Sequence, residues 1–177
     1  MTVDSWIKQI ADCLRLVDDE LTGKGLSNLV WADRVKEELR SLGARHGFKT
    51  AASVPKADFD EWLFDVCWLE YRRRPDGSVG FLRRLALAAE CEWGNRGDVE
   101  DDFEKLLVSR ADLRVVIYEA NSSHDVQSIA SGLWELEQRF ERRNPEDRYL
   151  LAGRDSSEHG FTCFQLTSEG IQPYPTS

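Results

Sequence analysis

Apolar positions recur at helical spacing from the start of the chain: Trp6, Ile10, Cys13, Leu14, Val17 and Leu21. The spacing predicts a helix over 5–22, capped by Asp4 or Ser5 and ended by Gly23 and Gly25. A second helix follows, with Ser27 as cap, Val35, Leu39 and Leu42 as its apolar stripe, and Gly43 as its stop. Residues 47–54 suit a short strand and 55–60 a loop. In 61–71, Trp62, Leu63, Phe64, Val66, Cys67, Trp68 and Leu69 are apolar around a central Asp65, which reads as a buried strand. Residues 72–77, Arg-Arg-Arg-Pro-Asp-Gly, signal a turn, and 81–93 returns as a second strand. The alanines of that run suit a helix too, but the turn and its length favour a hairpin. Gly94 to Gly97 breaks the chain, and Asp98 caps a third helix to about residue 109. A β-branched strand over 113–118 precedes a long helix capped by Asn121, Ser122 and Ser123, with Ile129, Leu133, Leu136 and Phe140 on one face. Residues 148–152 and 161–166 read as closing strands. The tail, with two prolines, is expected to be loose.

This order predicts an α/β protein, a mixed central sheet flanked by helices. No repeat, low-complexity tract or linker divides it. The expectation is a single domain over 1–177: an N-terminal helix at 5–22, a core at 27–168 and a tail at 170–177. A chain of 177 residues hides roughly 70% of its unfolded surface on folding. With 41% hydrophobic and 31% charged residues, it has the balance of a folded chain rather than a disordered one. No apolar run approaches the roughly 20 residues that span a bilayer, so no membrane is expected as partner. The first residues lack the pattern of a secretory leader. Four cysteines, Cys13, Cys67, Cys91 and Cys163, stand far apart with no Cys-x-x-Cys pair. That argues against a zinc knuckle or redox motif, and for reduced thiols in a cytoplasm. The six tryptophans are read first as core residues.

The candidate chemistry lies in the predicted hairpin. Burying an ionised carboxylate costs several kcal/mol unless a basic group, a proton or a metal ion compensates it, and Asp65 raises that question. Glu90 and Glu92 raise it again from one face of the returning strand, because side chains alternate. If Asp76 and Gly77 centre the turn, Asp65 falls opposite about residue 88, and Glu90 is roughly 7 Å further along. A bulge or a longer loop would bring Asp65, Glu90 and Glu92 to one spot. Three carboxylates at one spot repel each other unless they hold a cation, and hard oxygen donors suit magnesium or manganese. The alternatives are a solvent-facing sheet edge, or ion pairs with Arg83 and Arg84. Lys105, the only lysine after Lys56, lies on the helix that follows. A lysine near a metal-bound water can stabilise developing phosphorane charge. On the helical wheel, however, Lys105 falls about 145° from the centre of the face made by Val99, Phe103, Leu106 and Leu107.

An acidic residue in one strand, Glu-x-(Glu/Lys) in the next and a lysine on the helix after it resemble the PD-(D/E)xK nuclease superfamily, the restriction-endonuclease-like fold. Its core of helix, three strands, helix and strand can be laid over residues 27–118, about half the chain. The resemblance matches Asp65 to the first Asp, Glu90 to the (D/E) and Cys91 to the x. Glu92 stands in the lysine position, and Lys105 is the candidate for a lysine moved to the next helix. No proline precedes Asp65 as the named pattern has it; Phe64 stands there. The resemblance also implies a metal-linked Glu on the first core helix, for which Glu37 or Glu38 could serve. It implies a hydrolase: a nuclease that cleaves phosphodiesters with Mg2+ or Mn2+, with Asp65, Glu90, Glu92 and Lys105 catalytic and Asp65, Glu90 and Glu37 holding the metal. DNA is the expected nucleic acid, and a homodimer would serve a small nuclease that cuts two strands.

A formal charge of −9 excludes a generally basic nucleic-acid binder but not a local basic surface. Arg72, Arg73, Arg74, Arg83 and Arg84 could form one at the hairpin end, gripping phosphates, or they could simply solubilise the turn. Arg139, Arg142, Arg143 and Arg148 read as a charged helix end. Ser122, Ser123 and His124 read as a helix cap rather than a nucleophile and base. His46 and His159 have no evident partners. Two rival functions stand beside the enzyme. One is a small acidic protein-binding module, resembling bacterial immunity or inhibitor proteins that neutralise a basic toxin. The other is a nuclease fold that has lost its chemistry and only binds, which Glu92 in the lysine position suggests.

Overall fold

The structure, a computed structural model, describes residues 2–157 and 160–175, and the backbone alone at Arg73 and Val79. Among these residues the order is α1 (Val3–Leu21), α2 (Asn28–Arg45), β1 (Lys49–Ala52), β2 (Val66–Arg73), β3 (Val79–Glu92), α3 (Arg96–Leu107), β4 (Leu113–Ala120), α4 (Ser123–Arg139), β5 (Tyr149–Asp155), β6 (Phe161–Thr167) and β7 (Gly170–Tyr174). The strands form one mixed sheet in which neighbours in sequence are neighbours in space, β1 to β7. β1, β2 and β3 pair antiparallel, β3, β4 and β5 pair parallel, and β5, β6 and β7 return to antiparallel. No helix among the described residues is long and apolar enough to cross a membrane.

A parallel pair needs a crossover, and α3 and α4 supply the two that link β3, β4 and β5. Two crossovers of one hand that step the same way place both helices on the same face. Val99, Phe103, Leu106, Ile129, Ala130 and Leu133 accordingly pack against Ala88, Val116, Tyr118 and Leu151 on that face. The opposite face is covered by α1 and α2, where Ile7, Ile10, Leu14, Val35, Leu39 and Leu42 meet Val66, Trp68, Leu87, Val115 and Ile117. With helices on both sides, β4 and β5 are buried almost throughout and read as continuous apolar runs. Under α1 and α2, the Arg154 guanidinium lies 3.8 Å from the Trp31 ring centroid and donates to Asp18 (3.0 Å) and Glu119 (2.6 Å).

Several expectations change in the structure. Thr2, not Asp4 or Ser5, caps α1, and Asn95 rather than Asp98 caps α3; Asp98 completes the capping box from inside the helix. Gly43 does not stop α2, which runs two residues past it. Its lack of a side chain admits the Trp68 ring: a Cβ there would come within 2.5 Å of it. Trp68 in turn donates its indole N–H to the Leu39 carbonyl (3.0 Å), so this contact seats α2 on β2. The strand expected over 61–71 begins only at Val66, leaving Trp62 and Leu63 exposed and placing Asp65 just before the strand rather than within it. The tail is not loose over Gly170–Tyr174, which forms the edge strand β7; Pro173 fits there because an edge strand has one side without ladder bonds. Thr176 and Ser177 lie outside the described residues.

Gly43→Ala tests the seat of α2. In an open helix the change would stabilise by up to about 1 kcal/mol. Against the Trp68 ring it is expected to destabilise instead, by about 1–3 kcal/mol, in a denaturant titration with unchanged m-value.

Candidate functional site

The expected turn centre pairs Val66 with residue 87, but in the structure Val66 pairs with Ala89. Irregularities at Trp68/Leu69, Glu70/Tyr71 and Tyr71/Arg73 shift the register by three residues along the hairpin, which leaves its far end two residues from the expected pairing. Asp65, just before β2, thereby arrives beside the end of β3. The Cys91 N–H donates to Asp65 Oδ2 (2.8 Å), and the Asp65 N–H donates to Glu90 Oε2 (3.2 Å). The two carboxylates thus share one corner at the carboxyl end of β3, where the chain leaves the sheet for α3.

Each helical layer brings a lysine to this corner. From α2, Lys36 Nζ donates to Asp65 Oδ1 (2.6 Å), with both side chains largely shielded. From α3, Lys105 Nζ donates to Asp102 Oδ1 (2.6 Å) and lies 3.7 Å from Glu90 Oε1. Lys105 is exposed along its stem, as the helical wheel requires, and reaches the site by folding back one turn to Asp102. Glu90 is 3% exposed, and its Oε1 is buried with no hydrogen-bond partner among the described residues. Burial, then the charges of Asp102 and Asp65, push its carboxyl up to about 7, against the pull of the Asp65 N–H and Lys105. Lys36 is held above its usual value: burial works against its charge, but the hydrogen bond and charge of Asp65 outweigh it.

The structure answers the question of what compensates Asp65 with a basic partner, Lys36. That residue and Asp102 escape sequence reasoning. The signal was available, since Lys36 falls between Ala32, Val35 and Leu39, and Asp102 between Val99 and Leu106, on otherwise apolar stripes. Glu92 is not gathered with Asp65 and Glu90; its Oε1 accepts from the Gly94 N–H (2.5 Å). Glu37 and Glu38 both face Arg34, at 3.8 and 2.7 Å, so α2 delivers a lysine to Asp65 and neither glutamate. The hairpin arginines lie elsewhere. β2 runs away from Asp65, so Arg72 and Arg74 are about 20 Å or more along the strand. Arg83 and Arg84 grip Glu70 (2.6 Å each), and Arg84 also holds Asp112 (2.7 Å). The side chain of Arg73 lies outside the described residues. The Ser122 hydroxyl caps α4 and donates to Asp125, as a cap rather than a nucleophile. His46 meets Gln9 at 3.1 Å, and His159 lies outside the described residues.

A carboxyl raised in the folded state stabilises fully below its unfolded value, and that contribution is lost as pH rises through the folded value. For Glu90 the window runs from about 4.5 to about 7. Glu90→Gln removes this dependence. Relative to the parent chain, the variant should gain on the order of 3 kcal/mol between pH 5 and pH 8 in urea titrations. Parallel stability curves for the two proteins would show that Glu90 titrates normally.

Compared with protein-family models, curated proteins and solved structures, the chain gives no match.

Proposed function

We propose that this chain hydrolyses phosphodiester bonds of nucleic acid, with Mg2+ or Mn2+ held between Asp65 and Glu90. The observation that carries this is the buried Glu90 carboxylate, whose Oε1 accepts no hydrogen bond among the described residues and whose Oε2 accepts from the Asp65 N–H. Two further features support it. The run α2, β1, β2, β3, α3, β4, with an antiparallel meander followed by a parallel strand, has the order of a restriction-endonuclease-like core. Lys105, on the helix after the Glu-x-Glu strand, reaches the same corner.

The donor set fits a hard divalent cation. Asp65 and Glu90 are linked through the Asp65 N–H and each offers hard carboxylate oxygens, and a buried oxygen without a hydrogen bond is a place for a positive charge. Among the described residues no group of three or more His, Cys, Asp or Glu side chains is placed to hold a metal ion. Magnesium is commonly bound by one or two carboxylates, its remaining positions filled by waters and substrate phosphate oxygens, so two suffice. When bound, such an ion supplies Lewis-acid polarisation of the phosphate and a water that loses its proton near neutral pH. With its carboxylate on the ion, Glu90 would serve as a ligand, and the proton lost by the ion-bound water would pass to solvent. Lys105 approaches from the solvent side and can meet charge developing on a phosphate oxygen. The Cys91 N–H holds Asp65 in place for this work.

A second function is favoured by one observation. Trp62 and Leu63 are 50% and 61% exposed on an acidic stretch that also carries Asp58, Asp60 and Glu61. An apolar patch in an acidic setting suits a module that holds a basic protein.

Cleavage of plasmid DNA, and of single-stranded DNA and RNA oligonucleotides, decides between the two. With Mg2+ or Mn2+ the parent chain should cleave at least one of them, and EDTA should abolish it. Asp65→Asn and Glu90→Gln should each reduce the rate by about two orders of magnitude or more, and Lys105→Ala should also slow it. No cleavage by the parent chain, or cleavage indifferent to Asp65→Asn and Glu90→Gln, contradicts the nuclease and favours the binding module.

A further inference from the structure

The two lysines at the carboxylate corner are not equivalent. Lys105 is exposed, bonded to Asp102, and approaches Glu90 only at 3.7 Å. Lys36 is shielded, 13% exposed, and its ammonium is in direct contact with Asp65 Oδ1 at 2.6 Å. The other Asp65 oxygen is taken by the Cys91 N–H. Each oxygen of Asp65 therefore accepts a hydrogen bond, whereas Glu90 Oε1 accepts none among the described residues and has only the Lys105 ammonium at 3.7 Å. A divalent cation that bridges the pair comes up against an ammonium already seated on Oδ1. The two positive charges cannot share one carboxylate oxygen at contact distance without strong repulsion.

Resting on the metal-dependent reading above, we propose that Lys36 is the resident counter-ion of Asp65, and that a divalent cation enters by displacing its ammonium from Oδ1. The fold is arranged for such an exchange. Leu39 and Gly43 seat α2 on Trp68, so the backbone of Lys36 is fixed, while its four-carbon stem leaves the ammonium free to swing. Glu61, exposed on the segment that leads into β2, already acts on Lys36 electrostatically and offers a second carboxylate to the displaced charge. Without metal the ammonium keeps Asp65 compensated. With metal it is released beside the incoming phosphate. The exchange lowers affinity for the free cation, because the ion has to replace a charge that is already paired.

The test is Mn2+ affinity of the full chain, read by titration calorimetry and by the paramagnetic resonance of free Mn2+, without any nucleic acid. Lys36→Met should bind Mn2+ at least about tenfold more tightly than the parent chain. Lys36→Gln should change affinity in the same direction and retains a neutral donor for Asp65, should the methionine variant not fold. Mn2+ should also raise the melting temperature of either variant more than that of the parent, and Asp65→Asn added to either should abolish the gain. Unchanged or weaker affinity in both variants overturns the role of Lys36 and leaves the metal site standing. No Mn2+ binding by parent or variants overturns the metal site and this exchange with it.

Discussion

Glu90 is a carboxyl group shut away from water at the point where β3 leaves the sheet. A charged carboxylate in such a place costs several kcal/mol unless it is matched. One of its oxygens takes the Asp65 N–H, and the other has only a lysine 3.7 Å away. Asp65 and Asp102 add negative charge nearby, which makes ionisation harder still. The group is therefore left with two comfortable states: protonated, or facing a cation. The chemistry proposed for this molecule follows from that choice.

The rest of the fold can be read as the means of holding that corner. The parallel centre, β3 to β5, must be covered on both faces, and the two crossover helices cover only one. Packing α1 and α2 on the other face closes the core, and the Trp68 ring against Gly43 fixes where α2 lies. That seat puts Lys36 over the start of β2, while α3 hangs Lys105 and Asp102 over the end of β3. The register shifts of the hairpin then slide Asp65 along to meet Glu90. Removing any one of these placements would leave a buried charge without its partner.

Much of this was legible in the sequence, because hydrophobic periodicity is local. The stripes of α1, α2, α3 and α4, the hairpin and the β-branched β4 are visible residue by residue, as is the oddity of acids inside apolar strands. What was not legible is decided between elements. The register shift depends on irregularities that no spacing rule locates, and with it the meeting of Asp65 and Glu90. Gly43 carries the same letter whether it ends a helix or admits a tryptophan ring. The choice between Lys36 and Glu37 or Glu38 as the α2 contribution is a matter of helix rotation by one or two positions. The hairpin arginines looked close to the acids because they are close in sequence, yet an extended strand carries them to the other end of the sheet. Lys105 shows the reverse: its wheel position points outward, and its length brings it back.

The most direct measurement of the account is the titration of the Glu90 side-chain carboxyl by carbon-detected NMR in the metal-free chain. The account predicts a midpoint near 7, far above an ordinary glutamate. A midpoint near 4.5 would mean that Glu90 is an ordinary solvated acid, and the corner would lose its claim to chemistry.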